Sequence, residues 1–457
     1  MIATSRLKIF ATTLVVTLFL FFTSAYISLK LGAMPWPIVF SIVVSAGLLR
    51  LFSKKINRHD VNMAQAGGTI GGLMAAAVAF VLPGLYLHPP QNLPSVWTLG
   101  LLAGAGGLLG VLLSDRVRPH YIDQENLPYP AGRAGGELIR EGFDRGTLFA
   151  FVVLAGLLTG AFTFLRDHFD IYLVPVTIGS LLLPFLIAPM GVGAGYILGA
   201  RTGINWLAGA VIAIAILVPL GGLLAKPLGL DAGITPQLWA QNIGMGLVLG
   251  SGLAHLLFHG RLHCLTALFS RHHPQIPVLA LSAAALALLI TAGLTWWGAL
   301  LALALAWLLV PVAAQLTGAT NLDPLEQFGI LAAFVVAGAY ALLHLPLPQP
   351  APYIIAFFVA VTTAVAGDIG HDFKSAQVVG TRSRYIVQAD LLAVAAIIPA
   401  VPVLIAIIRD TFTPELFTAT LPAPQAKMVY NTFSGLIHLP TFFGTMGGAL
   451  LLEGLRR

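Results

Sequence analysis

Apolar stretches of bilayer-spanning length follow one another through nearly the whole chain, separated only by short polar segments. A crossing helix needs about 20 such residues, and in lipid each backbone N–H and C=O must find its partner within the protein. The runs are continuous and not alternating, which predicts helices and argues against a β-barrel. Of 457 residues 58% are hydrophobic and 9% charged, whereas soluble domains carry roughly 25% charged residues. The pattern predicts an all-α, polytopic transmembrane bundle forming a single membrane domain, 1–457. About fourteen spans are expected, centred on 9–29, 36–52, 63–87, 96–113, 147–165, 171–190, 204–225, 239–258, 277–296, 299–316, 328–345, 353–370, 388–408 and 430–452.

The net charge of +6 is explained by basic cytoplasmic loops, so no nucleic-acid partner is expected. With the N-terminus inside, all but Lys30, Arg166, Lys226, Arg409 and Lys427 of the 24 Lys and Arg fall on the cytoplasmic side. This predicts a multi-pass protein of the cytoplasmic (inner) membrane with both termini in the cytoplasm, together with 50–62, 114–146 and 371–387. The start, MIATSRLK before a long apolar run, reads as a retained first helix and not a signal peptide. Cys264 is the only cysteine, so the chain holds no internal disulfide. Glycines recur at spacing four (Gly67/Gly71, Gly68/Gly72, Gly106/Gly110, Gly156/Gly160, Gly195/Gly199, Gly246/Gly250, Gly444/Gly448) and read as helix-packing positions. GVGAGYILG (191–199) lacks the βαβ context of a nucleotide loop.

Polar chemistry concentrates in GDIGHDFKSAQVVGTRSRYIVQ (367–388), directly after the apolar PYIIAFFVAVTTAVA. Asp368 and Asp372 are four apart and share a helix face. Charge at the edge of a bilayer core serves a pathway, a proton site or an ion pair, or else caps a helix whose end is solvated. All 18 Asp and Glu are expected at span ends or in loops. Two carboxylates this close would repel, leaving one protonated near neutral pH, with Lys374 as the opposing charge.

Five collinear pieces resemble the oligopeptide transporter superfamily, which includes the yellow-stripe-like metal-chelate carriers. They are AYISLKLGAMPWPI (25–38), NMAQAGGTIGGLMAAAVAFVLPGLYL (62–87), ENLPYPAGRAGGELI (125–139), GAGYILGARTG (193–203), and a last set of TNLDPLEQFG (320–329), the 367–388 stretch and APQAKM (423–428). The resemblance implies a secondary-active, proton-coupled importer of small oligopeptides or peptide-like metal chelates, with no cofactor. Helices interrupted at bilayer depth would line its cavity, at Tyr26–Pro35, at Asn62–Gly68 and at Asp368–Lys374. Candidate substrate contacts are Tyr26, Lys30, Asn62, Gln65, Gly68, Asn321, Lys374 and Gln425, and candidate proton sites are Asp368 and Asp372. For each polar residue a helix cap or interhelical hydrogen bond is the competing role. SLKLG and DFKSAQVVG, each followed by a Gln-Ala pair, are compatible with an inverted repeat.

His255, His259 and His263 beside Cys264 could line one helical stripe as transition-metal ligands, but read better as interfacial histidines, so no metal is assigned. The lack of GxxxxGK[ST], HExxH and GxSxG argues against ATP hydrolysis and against the competing class, an intramembrane hydrolase or lipid-modifying transferase. The sequence leaves a homodimer open.

Overall fold

The computed structural model describes residues 6–455 except 33–36, 53–55, 88, 91, 145–146, 170–172, 179–180, 187–188, 225–226, 228–233, 259–267, 269–274, 324, 419 and 437. In chain order its helices are α1 (Arg6–Leu31), α2 (Ile38–Phe52), α3 (Arg58–Val81), α4 (Pro83–Leu87), α5 (Val96–Arg118), α6 (Pro130–Asp144), α7 (Thr147–His168), α8 (Pro189–Val211), α9 (Val218–Leu224), α10 (Pro236–Phe258), α11 (Gln275–Thr291), α12 (Trp296–Thr320), α13 (Leu325–Leu342), α14 (Ala351–Val379), α15 (Ser383–Ile407), α16 (Pro424–Phe433) and α17 (Leu439–Leu455). Eight described helical stretches are long and apolar enough to cross a membrane, and three apolar helices are shorter. The protein is a polytopic all-α membrane bundle. By this measure the described residues do not reach fourteen spans.

Two expected spans are built differently. Residues 171–190 contain an antiparallel hairpin, β1 (Leu173–Ile178) with β2 (Leu181–Leu186), in which Pro175 opposes Pro184. Proline lacks the N–H that a helix interior requires, and Val174, Val176 and Ile178 are β-branched. Residues 430–452 divide into α16 and α17, with Gly435 at φ 80° between them and Pro440 in the first turn of α17.

The core is built around α3 and α14. Almost every residue of both is buried, as expected of helices that are small or apolar on all sides. Glycine lets neighbours approach them closely. A Cβ on Gly71 would overlap the Thr17 backbone of α1; one on Gly110 would come within 2.7 Å of the Thr362 carbonyl of α14. Gly246 and Gly250 seat α10 against α17 in the same way. Gly156, Gly160, Gly195, Gly199, Gly444 and Gly448 have no atom within 4 Å of a built Cβ among the described residues, so the packing role does not extend to them.

Two of the three expected interruptions are absent. α3 runs unbroken through Asn62–Gly68, and α14 runs unbroken through Asp368–Lys374 to Val379, ending where Gly380 takes the left-handed conformation at φ 80°. Gly367 and Gly370 mark close contacts on α14, not a break. Part of the expected loop 114–146 is also helical: a π-helical turn, Pro119–Gln124, precedes α6.

Candidate functional site

Three carboxylates lie buried where α3, α14 and α15 meet: Asp368 and Asp372 from α14 and Asp390 from α15, each 0% exposed. α3 supplies their neutral partners. Gln65 Nε2 donates to Asp372 Oδ1 at 3.0 Å, and Thr69 Oγ1 lies 2.7 Å from Asp372 Oδ2. The same hydroxyl is 2.6 Å from the Ala66 carbonyl. The Thr69 hydroxyl therefore stands between two acceptors and donates to both the Asp372 carboxylate and the Ala66 carbonyl in a three-centre arrangement. Asp368 faces Thr69 without hydrogen-bonding geometry, and neither it nor Asp390 has a hydrogen-bond partner among the described residues. Asp390 is near enough to Asp368 and Asp372 for their charges to interact. Among the described residues no Lys, Arg or His pairs with any of the three.

Depth follows from helix geometry. Thr69 is eleven residues from Arg58, and Asp372 and Asp390 are each seven residues from Val379 and Ser383. At 1.5 Å per residue these are about 16 Å and about 10 Å from the helix ends, one third to one half of a ~30 Å hydrocarbon core. Hydrogen bonds lead outward from the cluster. Gln65 Nε2 donates to Asn62 Oδ1 (3.2 Å), Ser375 Oγ donates to the same oxygen (2.8 Å), and Asn62 Nδ2 donates to Thr381 Oγ1 (3.1 Å). Partly buried His59 stands 3.1 Å from Thr381 and ends the chain.

A second layer closes on α14 from the other side. The α12–α13 turn, at Asn321–Asp323, reaches the level of Gly367, where a Cβ would stand 2.8 Å from Asp323 Oδ2. Both oxygens of Asp323 are enclosed and without hydrogen-bond partners among the described residues, although the residue as a whole is partly exposed. Burial pushes the Asp323 carboxyl well above the ordinary range, and the Asp368 and Glu326 carboxylates add to the effect. Below this turn the Asn126–Gly132 segment is pinned in place. Tyr129 N donates to Gly318 O (2.9 Å), its hydroxyl donates to Ala314 O (2.6 Å), and Ala131 N donates to Asn321 Oδ1 (3.1 Å). Gly132 N donates to His371 Nδ1 (3.2 Å).

The expected site residues separate into groups. Asn62, Gln65, Asp368 and Asp372 converge in one network. Asn321 caps α12 in the left-handed conformation, φ 61°, and holds the Tyr129 segment. Lys374 does not oppose the aspartates: two positions beyond Asp372 it points to another face of α14, and its Nζ donates to Asn126 Oδ1 at 2.6 Å. Gly68 faces Ser41, Val16 and Leu20, a packing contact with α1 and α2. Lys30 and Gln425 lie at the far end of α1, where Lys30 Nζ donates to Thr420 O (3.0 Å) and Gln425 Nε2 donates to Gly32 O (3.1 Å). Tyr26 is 49% exposed and its ring is 6.1 Å from that of Phe412, so it is not part of the buried cluster. His255 falls in α10, while His259, His263 and Cys264 lie outside the described residues. Asp390 was not expected. It sits two turns inside α15, so the acids are not confined to span ends and loops, and an acid within IVQADLLAVAAIIP was the signal for it.

Beyond α13 lies a cavity of about 300 Å³, lined by Gln241, Gly244 and Met245 of α10, Gln327 of α13, and Gln425 and Met428 of α16. Gln327 Nε2 donates to Oε1 of buried Glu326 at 2.8 Å, and Glu326 is three residues from Asp323.

The sequence profile described as OPT oligopeptide transporter protein matches residues 4–273 and 274–452. The chain belongs to the OPT oligopeptide transporter family. A Haemophilus influenzae protein named "Putative oligopeptide transporter" is 29% identical over 203 residues, 42% of this chain and 32% of that protein, so the matched part spans about a third of the relative's length. Within this OPT fold the 62–87, 125–139, 320–329 and 367–388 pieces gather around the carboxylates. The 25–38 and 423–428 pieces meet at the other end, where Ala423 N donates to Leu29 O (2.9 Å). The 193–203 piece lies apart in α8, with Tyr196 90% exposed.

Proposed function

We propose that this OPT protein is a secondary-active importer of small oligopeptides or peptide-like metal chelates in the cytoplasmic membrane, driven by protons held among Asp368, Asp372 and Asp390. Both termini face the cytoplasm, as does the end of the bundle bearing His59, Arg118 and Thr381. The observation that carries the reading is the set of three fully buried carboxylates without a paired cation among the described residues. At ~6 Å and an effective dielectric near 20, two ionised carboxylates repel by about 3 kcal/mol. The amide and hydroxyl groups around Asp372 do not neutralise that charge, so protons relieve it. A carrier that must load and release protons needs such groups away from bulk water and connected to it, and the Gln65–Asn62–Thr381 chain supplies the connection. The family and the name of the H. influenzae relative support a peptide-like cargo.

Purified protein in proteoliposomes with an acid-outside gradient should accumulate labelled short peptides, or their metal chelates, and a protonophore should abolish accumulation. An enzyme would release a new product in the same vesicles. Asp368→Asn should retain peptide exchange and lose gradient-driven accumulation. A folded Asp368→Asn protein that accumulates substrate with the wild-type pH dependence would remove this carboxylate from coupling.

A further inference from the structure

We infer that the adjoining ends of α1, α3 and α15 bind the headgroup of an anionic phospholipid whose chain lies along the seam of α1 and α2. The inference concerns a lipid partner and depends neither on what is carried nor on what drives transport. Arg6 and Lys8 of α1, Arg58 of α3, and Arg382 and Arg384 at the start of α15 meet at one end of the bundle. Lys8 Nζ donates to the Phe52 carbonyl at the end of α2 (2.7 Å). His59, beside Arg58, stands 3.1 Å from Thr381, beside Arg382. Arg6, Arg382 and Arg384 are all near enough to Tyr385 for their charges to act on it, and Tyr385 packs on the buried cluster that holds Ile9 of α1 and Leu49 of α2.

Counter-charge separates this group from the other surface arginines. Around α5 and α6, Arg118 has Asp115 and Asp123 within 4 Å, Arg133 has Glu137, and Arg140 has Glu141. Among the described residues no carboxylate pairs with Arg6, Lys8, Arg58, Arg382 or Arg384. Asp60, two residues from Arg58, is buried and engaged in the α3 capping box with Asn57. Lys8 and Arg384 hold neutral groups, the Phe52 carbonyl and the Tyr385 hydroxyl (3.0 Å). A phosphodiester would supply the missing charge, since the guanidinium fork matches its oxygens, and the helix ends of a crossing bundle stand among lipid headgroups. The surface beside the cations fits the rest of the lipid. Leu7, Leu51 and Phe52 are exposed around Lys8. Val15, Phe19 and Phe40 carry the exposed apolar face onward, with the rings of Phe19 and Phe40 6.1 Å apart. Lys8 to Phe19 is eleven residues, about 16 Å of helix, which matches one leaflet of a ~30 Å hydrocarbon core. Free phosphate would use the cations alone, so charge and apolar surface together select a lipid.

The test titrates the purified full chain, in a neutral detergent, with dioleoyl phosphatidylglycerol or dioleoyl phosphatidylcholine. Melting temperature is followed, and bound lipid is counted by native mass spectrometry. Phosphatidylglycerol should raise the melting temperature and stay bound. Phosphatidylcholine, with the same chains and no net charge, should do neither. Each cation at a lipid surface changes affinity about fivefold, so Arg382→Gln combined with Arg384→Gln should weaken phosphatidylglycerol binding about 25-fold. Arg6→Gln, on a different helix, should weaken it about fivefold. All three side chains are exposed, so the variants should fold. Arg133→Gln, at an arginine paired with Glu137, should bind as wild type does. Equal stabilisation by the two lipids, or wild-type affinity in the Arg382/Arg384 double variant, would overturn the site. Inorganic phosphate reproducing the shift would overturn it too, because a free anion would then suffice.

Discussion

Gly370→Ala tests whether the Tyr129 segment is locked to α14 at the depth of the carboxylates. A Cβ at this position would overlap the Tyr129 ring and stand 2.7 Å from its hydroxyl oxygen. The ring cannot step aside. It is 1% exposed, its hydroxyl donates to Ala314 O, and it packs edge-on against His371 with centroids 5.3 Å apart. Its backbone already holds φ 39°, in the left-handed region that non-glycine residues adopt at a cost. Overpacking a full core costs about 1–3 kcal/mol, and losing the buried tyrosine hydrogen bond adds about 1–3 kcal/mol. The expected destabilisation is therefore about 2–6 kcal/mol, with transport lost because Asn126–Gly132 is displaced. Thermal unfolding of detergent-purified protein measures the first effect and vesicle uptake the second. Gly338→Ala is the control: its Cβ meets nothing within 4 Å, and replacing a helical glycine should stabilise by up to about 1 kcal/mol. A double-mutant cycle isolates the cause, since Gly370→Ala should cost little more in a Tyr129→Ala background. Equal stability of Gly370→Ala and wild type, or a cost unchanged by Tyr129→Ala, would refute the contact.

Three further outcomes are expected. The Asp323 carboxyl holds its proton more tightly in the folded protein, so its stabilising contribution is complete below the unfolded pKa and declines as pH rises towards the raised folded value. Asp323→Asn should therefore gain stability relative to wild type as pH rises, by up to about 1.4 kcal/mol per unit within that window, and melting-temperature differences that do not vary with pH would contradict it. Asn321→Ala loses the acceptor for Ala131 N and the residue type suited to φ 61°, so it should unfold about 1–3 kcal/mol more easily; Asn321→Gly, which relieves only the backbone, should recover part of that loss and not all, and full recovery would show that the hydrogen bond contributes nothing. Finally, a cysteine at Arg118 in a Cys264→Ala background should resist an impermeant thiol reagent added to intact cells and react in inverted vesicles; labelling from outside would reverse the orientation.

What the amino-acid sequence determined by itself is the class of the molecule. Runs of twenty apolar residues leave a chain in lipid only helices or closed barrels, so the membrane bundle was legible from hydropathy, and the family from collinear motifs. Local signals also marked Asp368, Asp372, Asn62 and Gln65, because polar groups are conspicuous inside apolar runs. Tertiary structure alone decided which of them meet. Lys374 is two residues from Asp372 in sequence yet bonds to Asn126, because two steps along a helix turn a side chain to another face. Asp390 and Thr69 join the cluster from α15 and α3, brought there by packing between helices distant in sequence. Glycine shows the division most directly. Gly367 and Gly370 suggest a broken helix when only the chain is read, since glycine is a poor helix former. In the fold they sit within an unbroken α14 because Asp323 and Tyr129 occupy the space where their side chains would be. A glycine's reason for being there is held by its neighbours in space, and no local pattern carries that information.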